Sequence, residues 1–183
     1  MNIANKITIL RVLLTPFFVG LALYYRPDKD YLRYIALCVF SIAVLTDALD
    51  GFLARFLKQK TTLGTIMDPI ADKLLLITAF ISLTVWNASI KLPLWLPIIV
   101  VSRDIIIVIG VLVIFLVHGD VKIAPSPLGK ITTFMQMAAI ISVLLLYGHS
   151  EYIWNTAVVF TALSGIDYIF RGARLMNGAA GKK

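Results

Sequence analysis

Residues 46–73 read TDALDGFLARFLKQKTTLGTIMDPIADK. The stretch sets four carboxylates, Asp47, Asp50, Asp68 and Asp72, in a chain that is otherwise mostly apolar. Asp47 and Asp50 are three residues apart, and Asp68 and Asp72 four apart. On helices both spacings put each pair on a single face. Between the pairs lie Arg55, Lys58 and Lys60, then Thr61, Thr62 and Gly64, a short basic connection. The simplest geometry is two antiparallel helices joined at a membrane surface, each presenting two aspartates to the other. Four carboxylates converging at low dielectric do not all stay ionised unless cations join them. Hard divalent cations, which take oxygen ligands, are the natural partners. The stretch therefore reads as a metal site and the rest of the chain as its housing.

The housing is a membrane one. Of 183 residues 60% are hydrophobic, and the mean hydropathy is +0.90, values of an integral membrane protein rather than a soluble domain. The net charge of +7 does not point to nucleic acid, because binders of that kind do not place most of their length in apolar runs. It reads instead as inner loops and contact with anionic headgroups. Cys38, the single cysteine, excludes an intramolecular disulfide. His118 and His149 fall far apart in loops and suggest no histidine metal site. The first apolar run follows Lys6 and Arg11 without a small-residue cleavage site, so no cleavable signal is expected.

Residues 1–10, MNIANKITIL, suit a short interfacial helix. Apolar spans follow at about residues 12–25, 34–53, 66–86, 94–117, 131–147 and 153–170, and a bilayer-crossing helix needs about 20 largely apolar residues. The expected architecture is an all-α integral membrane protein, one domain over 1–183. Six transmembrane helices follow the interfacial helix, and 175–183 form a flexible cytoplasmic tail. With the N-terminus inside, inner segments hold Lys6, Arg11, Arg55, Lys58, Lys60, Lys122, Lys130, Arg171, Arg174, Lys182 and Lys183. Outer segments hold only Arg26, Lys29, Arg33 and Lys91. The asymmetry puts both termini and the acidic site on the cytoplasmic side of an inner or cytoplasmic membrane. Residues 26–30 read as a turn, residues 91–93 as a short outer loop, and 118–129 as the longest inner loop. Pro69 is expected in the first turn of its helix, where a missing N–H costs little.

Written out, the stretch is Asp47-x2-Asp50-Gly51-x2-Ala54-Arg55-x8-Gly64-x3-Asp68-x3-Asp72. It resembles the signature of the CDP-alcohol phosphotransferases, with all eight fixed positions at the family's spacing. The resemblance implies membrane enzymes that move a phosphoalcohol group from a CDP-linked donor to an acceptor hydroxyl and release CMP, working as homodimers. It implies two divalent ions, Mg²⁺ or Mn²⁺, with Asp47, Asp50 and Asp68 as ligands. Asp72 would touch the second metal and act as the base. It further implies CDP-binding roles for Thr8, Gly51, Ala54, Arg55 and Gly64. The residue types suit the chemistry, since two divalent ions clamp a diphosphate and stabilise incoming and leaving oxygens. A base must reach the attacking hydroxyl, and an arginine supplies a charge-assisted contact to phosphate or pyrimidine. Gly51 and Ala54 also suit close helix packing. Aspartates in membrane helices can instead form plain ion pairs or line an ion path. A small transporter with buried Asp relays is thus the reading from another class, and it predicts no CMP release.

Within the family, Asn2-Ile3-Ala4-Asn5-Lys6-Ile7-Thr8-Ile9-Leu10-Arg11 resembles the opening of members that make phosphatidylglycerophosphate, with Ala4 replacing a proline and Ile7 a leucine. Gly129-Lys130-x2-Thr133-x2-Gln136-Met137 resembles the start of their fifth span. The expected substrates are therefore CDP-diacylglycerol and glycerol 3-phosphate, with Arg103, Lys130, Arg171 and Arg174 as candidates for the acceptor phosphate. A guanidinium inside the fourth span requires an anionic partner, so Arg103 either meets the acceptor or pairs with Asp104, Asp167 or a site aspartate. Lys130 also fits a snorkelling side chain, and Arg171 and Arg174 also fit the positive-inside pattern. Asp167, one turn before Arg171, is expected to hold that arginine. Asp104 stands where glycerophosphate-using relatives often carry glutamate. Members that make cardiolipin from phosphatidylglycerol carry aspartate there, and theirs is the alternative activity.

Overall fold

In the computed structural model the backbone is described for residues 3–56, 62–118 and 126–180, and side chains for 8–46, 71–114, 116 and 126–174. Among the described residues there are six α-helices and no strand: α1 Ile3–Leu23, α2 Tyr31–Phe56, α3 Thr62–Thr84, α4 Trp95–His118, α5 Pro127–Leu144 and α6 Ser150–Ala180. A 3₁₀ turn, Pro27–Lys29, joins α1 to α2 where a turn is expected. Each apolar span of the sequence falls on one helix. Trp95–Ile114, Pro127–Leu144 and Ser150–Arg174 are long and apolar enough to cross a membrane, and Thr8–Leu23 and Tyr31–Thr46 are shorter apolar stretches. The chain is an all-α membrane protein.

Three expectations change in detail. From Ile3 onward the N-terminal segment is continuous with the first apolar span in α1, since nothing around Leu10 and Arg11 breaks a helix. The tail is helical as far as Ala180, since Arg174, Leu175 and Met176 are good helix formers and no proline follows them. Pro69 lies well inside α3 rather than in its first turn, because the helix already begins at Thr62. Membrane helices tolerate such prolines where neighbouring groups satisfy the freed carbonyl. α1 likewise runs through Pro16, and beside that position Thr15 Oγ1 donates to the Arg11 carbonyl at 2.9 Å.

The chain groups into two compact units: Met1–Leu94 with Ile140–Ser150, and Trp95–Ala139 with Glu151–Lys183. In the first, α1 packs against both α2 and α3. Its buried stripe runs Thr8, Arg11, Thr15, Phe18, Ala22, a spacing of three and four that keeps one helix face inward. The stripe is polar toward the N-terminus and apolar toward the other end. At the apolar end Phe18 meets Phe40 of α2, ring centroids 5.7 Å apart, and Tyr25 meets Trp86 at 4.8 Å. Such pairs contribute about 0.5–1.5 kcal/mol each beyond area burial. Small buried residues, Ala36 and Ala43 on α2 and Ala71 and Ala79 on α3, let the backbones approach.

Within this unit Arg33, at the start of α2, reaches the end of α5. Its Nε and Nη2 donate to the two oxygens of Asp30, each at 2.7 Å, and its Nη1 donates to the Leu144 carbonyl at 3.3 Å. A cation there meets a helix C-terminus, where orphan carbonyls carry partial negative charge. α5 closes with the Tyr147 N–H on the Ser142 carbonyl and the Leu146 N–H on that of Val143. This Schellman arrangement puts Leu146 at φ 52°, a left-handed position usually given to glycine.

In the second unit α5 begins on an N-cap. Ser126 Oγ accepts from the Gly129 N–H at 3.0 Å, and Pro127 occupies the first helical position, where its missing N–H costs nothing. Across to α6, Thr132 Oγ1 donates to the Phe160 carbonyl at 2.9 Å and Gln136 Nε2 to Thr161 Oγ1 at 3.0 Å. In a membrane, such interhelical bonds contribute roughly 0.6–2 kcal/mol each.

The Asp30 contact carries a sign for acid. The hydrogen bonds from Arg33, foremost, hold the Asp30 carboxyl below its ordinary value of 3.8. A carboxylate with a depressed folded pKa stabilises the fold above the unfolded value and loses that contribution as pH falls through the folded one. Thermal unfolding in detergent should therefore show a stability loss on acidification below about 3.8 that Asp30→Asn abolishes. Arg33→Met should lower Tm by a few degrees at neutral pH.

Candidate active site

The acidic stretch lies on two successive helices. α2 carries Asp47, Asp50, Gly51, Ala54 and Arg55, and α3 carries Gly64, Asp68 and Asp72. The side chains of Asp47, Asp50, Gly51, Ala54, Arg55, Gly64 and Asp68 lie outside the described residues, and so does the expected convergence of the four carboxylates. Asp72 is the described member. Among the described residues no three acidic, histidine or cysteine side chains gather as a metal site would require.

Asp72 shows what surrounds its end of the stretch. The Arg11 guanidinium donates from Nη1 to Asp72 Oδ1, making an ion pair in which Arg11 is 1% exposed and Asp72 32%. A cation this dry requires an anion close by, since removing a charge from water costs several kcal/mol even after relaxation. α1 can therefore bury its polar N-terminal stripe because α3 offers a carboxylate opposite it. Thr8, expected to help bind CDP, sits one turn before Arg11 on the same stripe and is also buried.

By composition Arg11 counts only toward the inner-side positive charge. The structure pairs it with Asp72. The signal was present: Arg11 ends the Asn2-to-Arg11 run and shares one helix face with Thr8 and Thr15.

A second polar centre lies in the other unit, around Arg103 of α4, which is 9% exposed. Its Nη1 donates to Asp104 Oδ1 at 2.7 Å and its Nη2 to Ser164 Oγ at 2.6 Å, while Nε has no hydrogen-bond partner among the described residues. Two glycines border it. A Cβ on Gly129 would stand 3.6 Å from Arg103 Nη2, and one on Gly165 would stand 3.4 Å from its Cγ. Of the partners expected for Arg103, the structure supplies Asp104. Ser164 has no counterpart in the sequence motifs and emerges only from helix packing.

Lys130, next to Gly129 on the first turn of α5, is exposed, as are Arg171 and Arg174 on α6. Arg171 Nε donates to Asp167 Oδ1 at 3.0 Å, the pairing expected from their spacing of one turn.

The profile of the CDP-alcohol phosphatidyltransferases matches residues 1–164. The chain belongs to this family. It is 34% identical to a probable phosphatidylglycerophosphate synthase of Mycobacterium tuberculosis, covering 97% of this chain and 84% of that one. It is 30% identical to a CDP-diacylglycerol–glycerol-3-phosphate 3-phosphatidyltransferase of Aquifex aeolicus, covering 96% and 98%. Similarity also reaches a CMP-forming cardiolipin synthase of Rattus norvegicus, 29% identical over 99% of this chain and 65% of that one.

Members of the Arg103 centre of this CDP-alcohol phosphatidyltransferase differ in how much their truncation costs. Ser164→Ala removes one hydrogen bond to a charged group and should cost about 1.5–3 kcal/mol. Arg103→Ala removes the cation that offsets buried Asp104 and should cost about 3–5 kcal/mol. Thermal unfolding in detergent checks the order of the two.

Proposed function

We propose that this chain transfers the phosphatidyl group of CDP-diacylglycerol to the hydroxyl of glycerol 3-phosphate, releasing CMP and giving phosphatidylglycerophosphate. The observation that carries this reading is similarity along nearly the whole length, in both directions, to the Aquifex protein bearing that activity in its name. The eight-position signature supports the same chemistry.

The donor set suits hard cations. It consists of carboxylate oxygens, and at Asp72 the fold already accommodates a cationic group, the Arg11 guanidinium. In this reading Asp47, Asp50, Asp68 and Asp72 would hold two divalent ions, Mg²⁺ or Mn²⁺. When bound, such ions polarise the donor diphosphate and stabilise its leaving oxygen. Asp72 takes the proton of the acceptor hydroxyl at a carboxylate oxygen as the new P–O bond forms and the bond to CMP breaks. Thr8, Gly51, Ala54, Arg55 and Gly64 seat the nucleotide. Arg103, held by Asp104 and Ser164, is the leading candidate to orient an anionic acceptor, with Lys130, Arg171 and Arg174 at more exposed positions. The chain works as a homodimer in a cytoplasmic membrane, termini and site facing the cytoplasm, an orientation supported by the distribution of lysine and arginine.

Purified protein given CDP-diacylglycerol and Mg²⁺ should release CMP when glycerol 3-phosphate is added and stop when the cation is chelated. Asp72→Asn should slow that release by roughly 10²–10⁴-fold. Cardiolipin formation is the second reading, favoured by Asp104 and by the similarity to the rat protein. CMP release with phosphatidylglycerol and none with glycerol 3-phosphate would establish it. A transporter would move solute and release no CMP with either acceptor.

A further inference from the structure

Ser164 belongs to none of the sequence motifs, yet it holds one end of the Arg103 guanidinium. We infer that Ser164 is a positioning residue for the acceptor: its hydroxyl fixes the plane of the Arg103 fork and so sets how tightly glycerol 3-phosphate is held. The inference rests on the reading above that Arg103 meets the acceptor phosphate, and it adds the residue that aims the arginine.

Geometry carries it first. The two terminal nitrogens of Arg103 are tethered separately, Nη1 to Asp104 Oδ1 at 2.7 Å and Nη2 to Ser164 Oγ at 2.6 Å. Asp104 is the next residue of the same helix, and a single tether of that kind leaves the plane of the head undetermined. Ser164 comes from α6, so its bond ties the head to a second helix. Two anchored points orient a planar fork, and a fork grips phosphate oxygens two at a time only when its plane faces them. Ser164 is 1% exposed, so water does not compete for the bond.

The neighbours in turn hold Ser164 in place. Gln136 Nε2 of α5 donates to Thr161 Oγ1 at 3.0 Å, and Thr161 stands three residues before Ser164, on the same face of α6. A Cβ on Gly165 would stand 3.4 Å from Arg103 Cγ, so α6 also backs the stem of the arginine. A Cβ on Gly129 would stand 3.6 Å from Arg103 Nη2 and 3.8 Å from Ser164 Oγ. The first turn of α5, the positive end of that helix, therefore lies beside the same bond. Gly129 and Gln136 both come from the fifth-span run that the sequence singles out. In the structure both serve the Arg103–Ser164 contact.

Chemistry explains why the partner is a hydroxyl. A second carboxylate would hold the guanidinium more strongly, but its negative charge would oppose an anionic acceptor. Serine directs the fork without offsetting its charge.

The acceptor's phosphate is not the reacting group, so a grip on it is shared by the ground and transition states. Loosening such a grip raises KM and leaves kcat nearly unchanged. The test is steady-state CMP release by the full chain in detergent with Mg²⁺, each substrate being varied in turn. Ser164→Ala should raise KM for glycerol 3-phosphate roughly tenfold or more. Its kcat and its KM for CDP-diacylglycerol should stay within about twofold of the unaltered protein's. Ser164→Thr keeps the hydroxyl and should keep KM for glycerol 3-phosphate close to the unaltered value. Ser164→Cys, a weak acceptor of similar size, carries the same expectation as Ser164→Ala and serves where the latter does not fold. An unchanged KM for glycerol 3-phosphate in these two variants, or KM values for both substrates that rise together, overturns the inference. Arg103→Lys keeps the charge but not the fork and separates the two readings. If it raises KM for glycerol 3-phosphate while Ser164→Ala does not, only the inference falls. If it leaves that KM unchanged, the role of Arg103 falls and the inference with it. No CMP release with glycerol 3-phosphate by the unaltered protein overturns both.

Discussion

A charge withdrawn from water must be met by its opposite, and in this chain the helices of the first unit answer to that rule. Arg11 is among the most deeply buried side chains of the molecule, and the carboxylate that receives it, Asp72, belongs to the acidic stretch on the next helix but one. The apolar end of the same stripe, Phe18 and Ala22, needs only close packing and would tolerate rearrangement. The polar end does not, because an unmatched guanidinium at that depth costs more than any aromatic pair there returns. The pair therefore sets which face of α1 turns inward.

The second unit solves the same problem differently. Arg103 has its carboxylate as its immediate neighbour in sequence, Asp104, and a neutral hydroxyl from α6 on its other side. Gly129 and Gly165 lie against this side chain, at distances where an added Cβ would make ordinary contact. Both arginines are held by helix packing rather than by loops.

Much of the plan was legible without coordinates. The apolar spans and the turn at Pro27 follow from hydrophobicity and from proline chemistry, which act over a few residues. The pairing of Asp167 with Arg171 follows from helical spacing alone. Local signals were weakest at element ends: α1 absorbs the N-terminal segment, α6 runs past Arg174, and α3 starts well before Pro69. Helix breakers mark where a helix is discouraged, and membrane packing overrides that preference where it satisfies the backbone.

The amino-acid sequence by itself determined the class of molecule, its helices and the eight positions of the acidic signature. Each of these depends on composition or on spacing along a single helix. Tertiary structure alone decided that Arg11 belongs to Asp72 and that Ser164 belongs to Arg103, partners 61 residues apart in both cases. No local pattern specifies such a pair. It exists because helices distant in sequence pack together within each unit, where a buried charge is matched by whichever group packing brings opposite it.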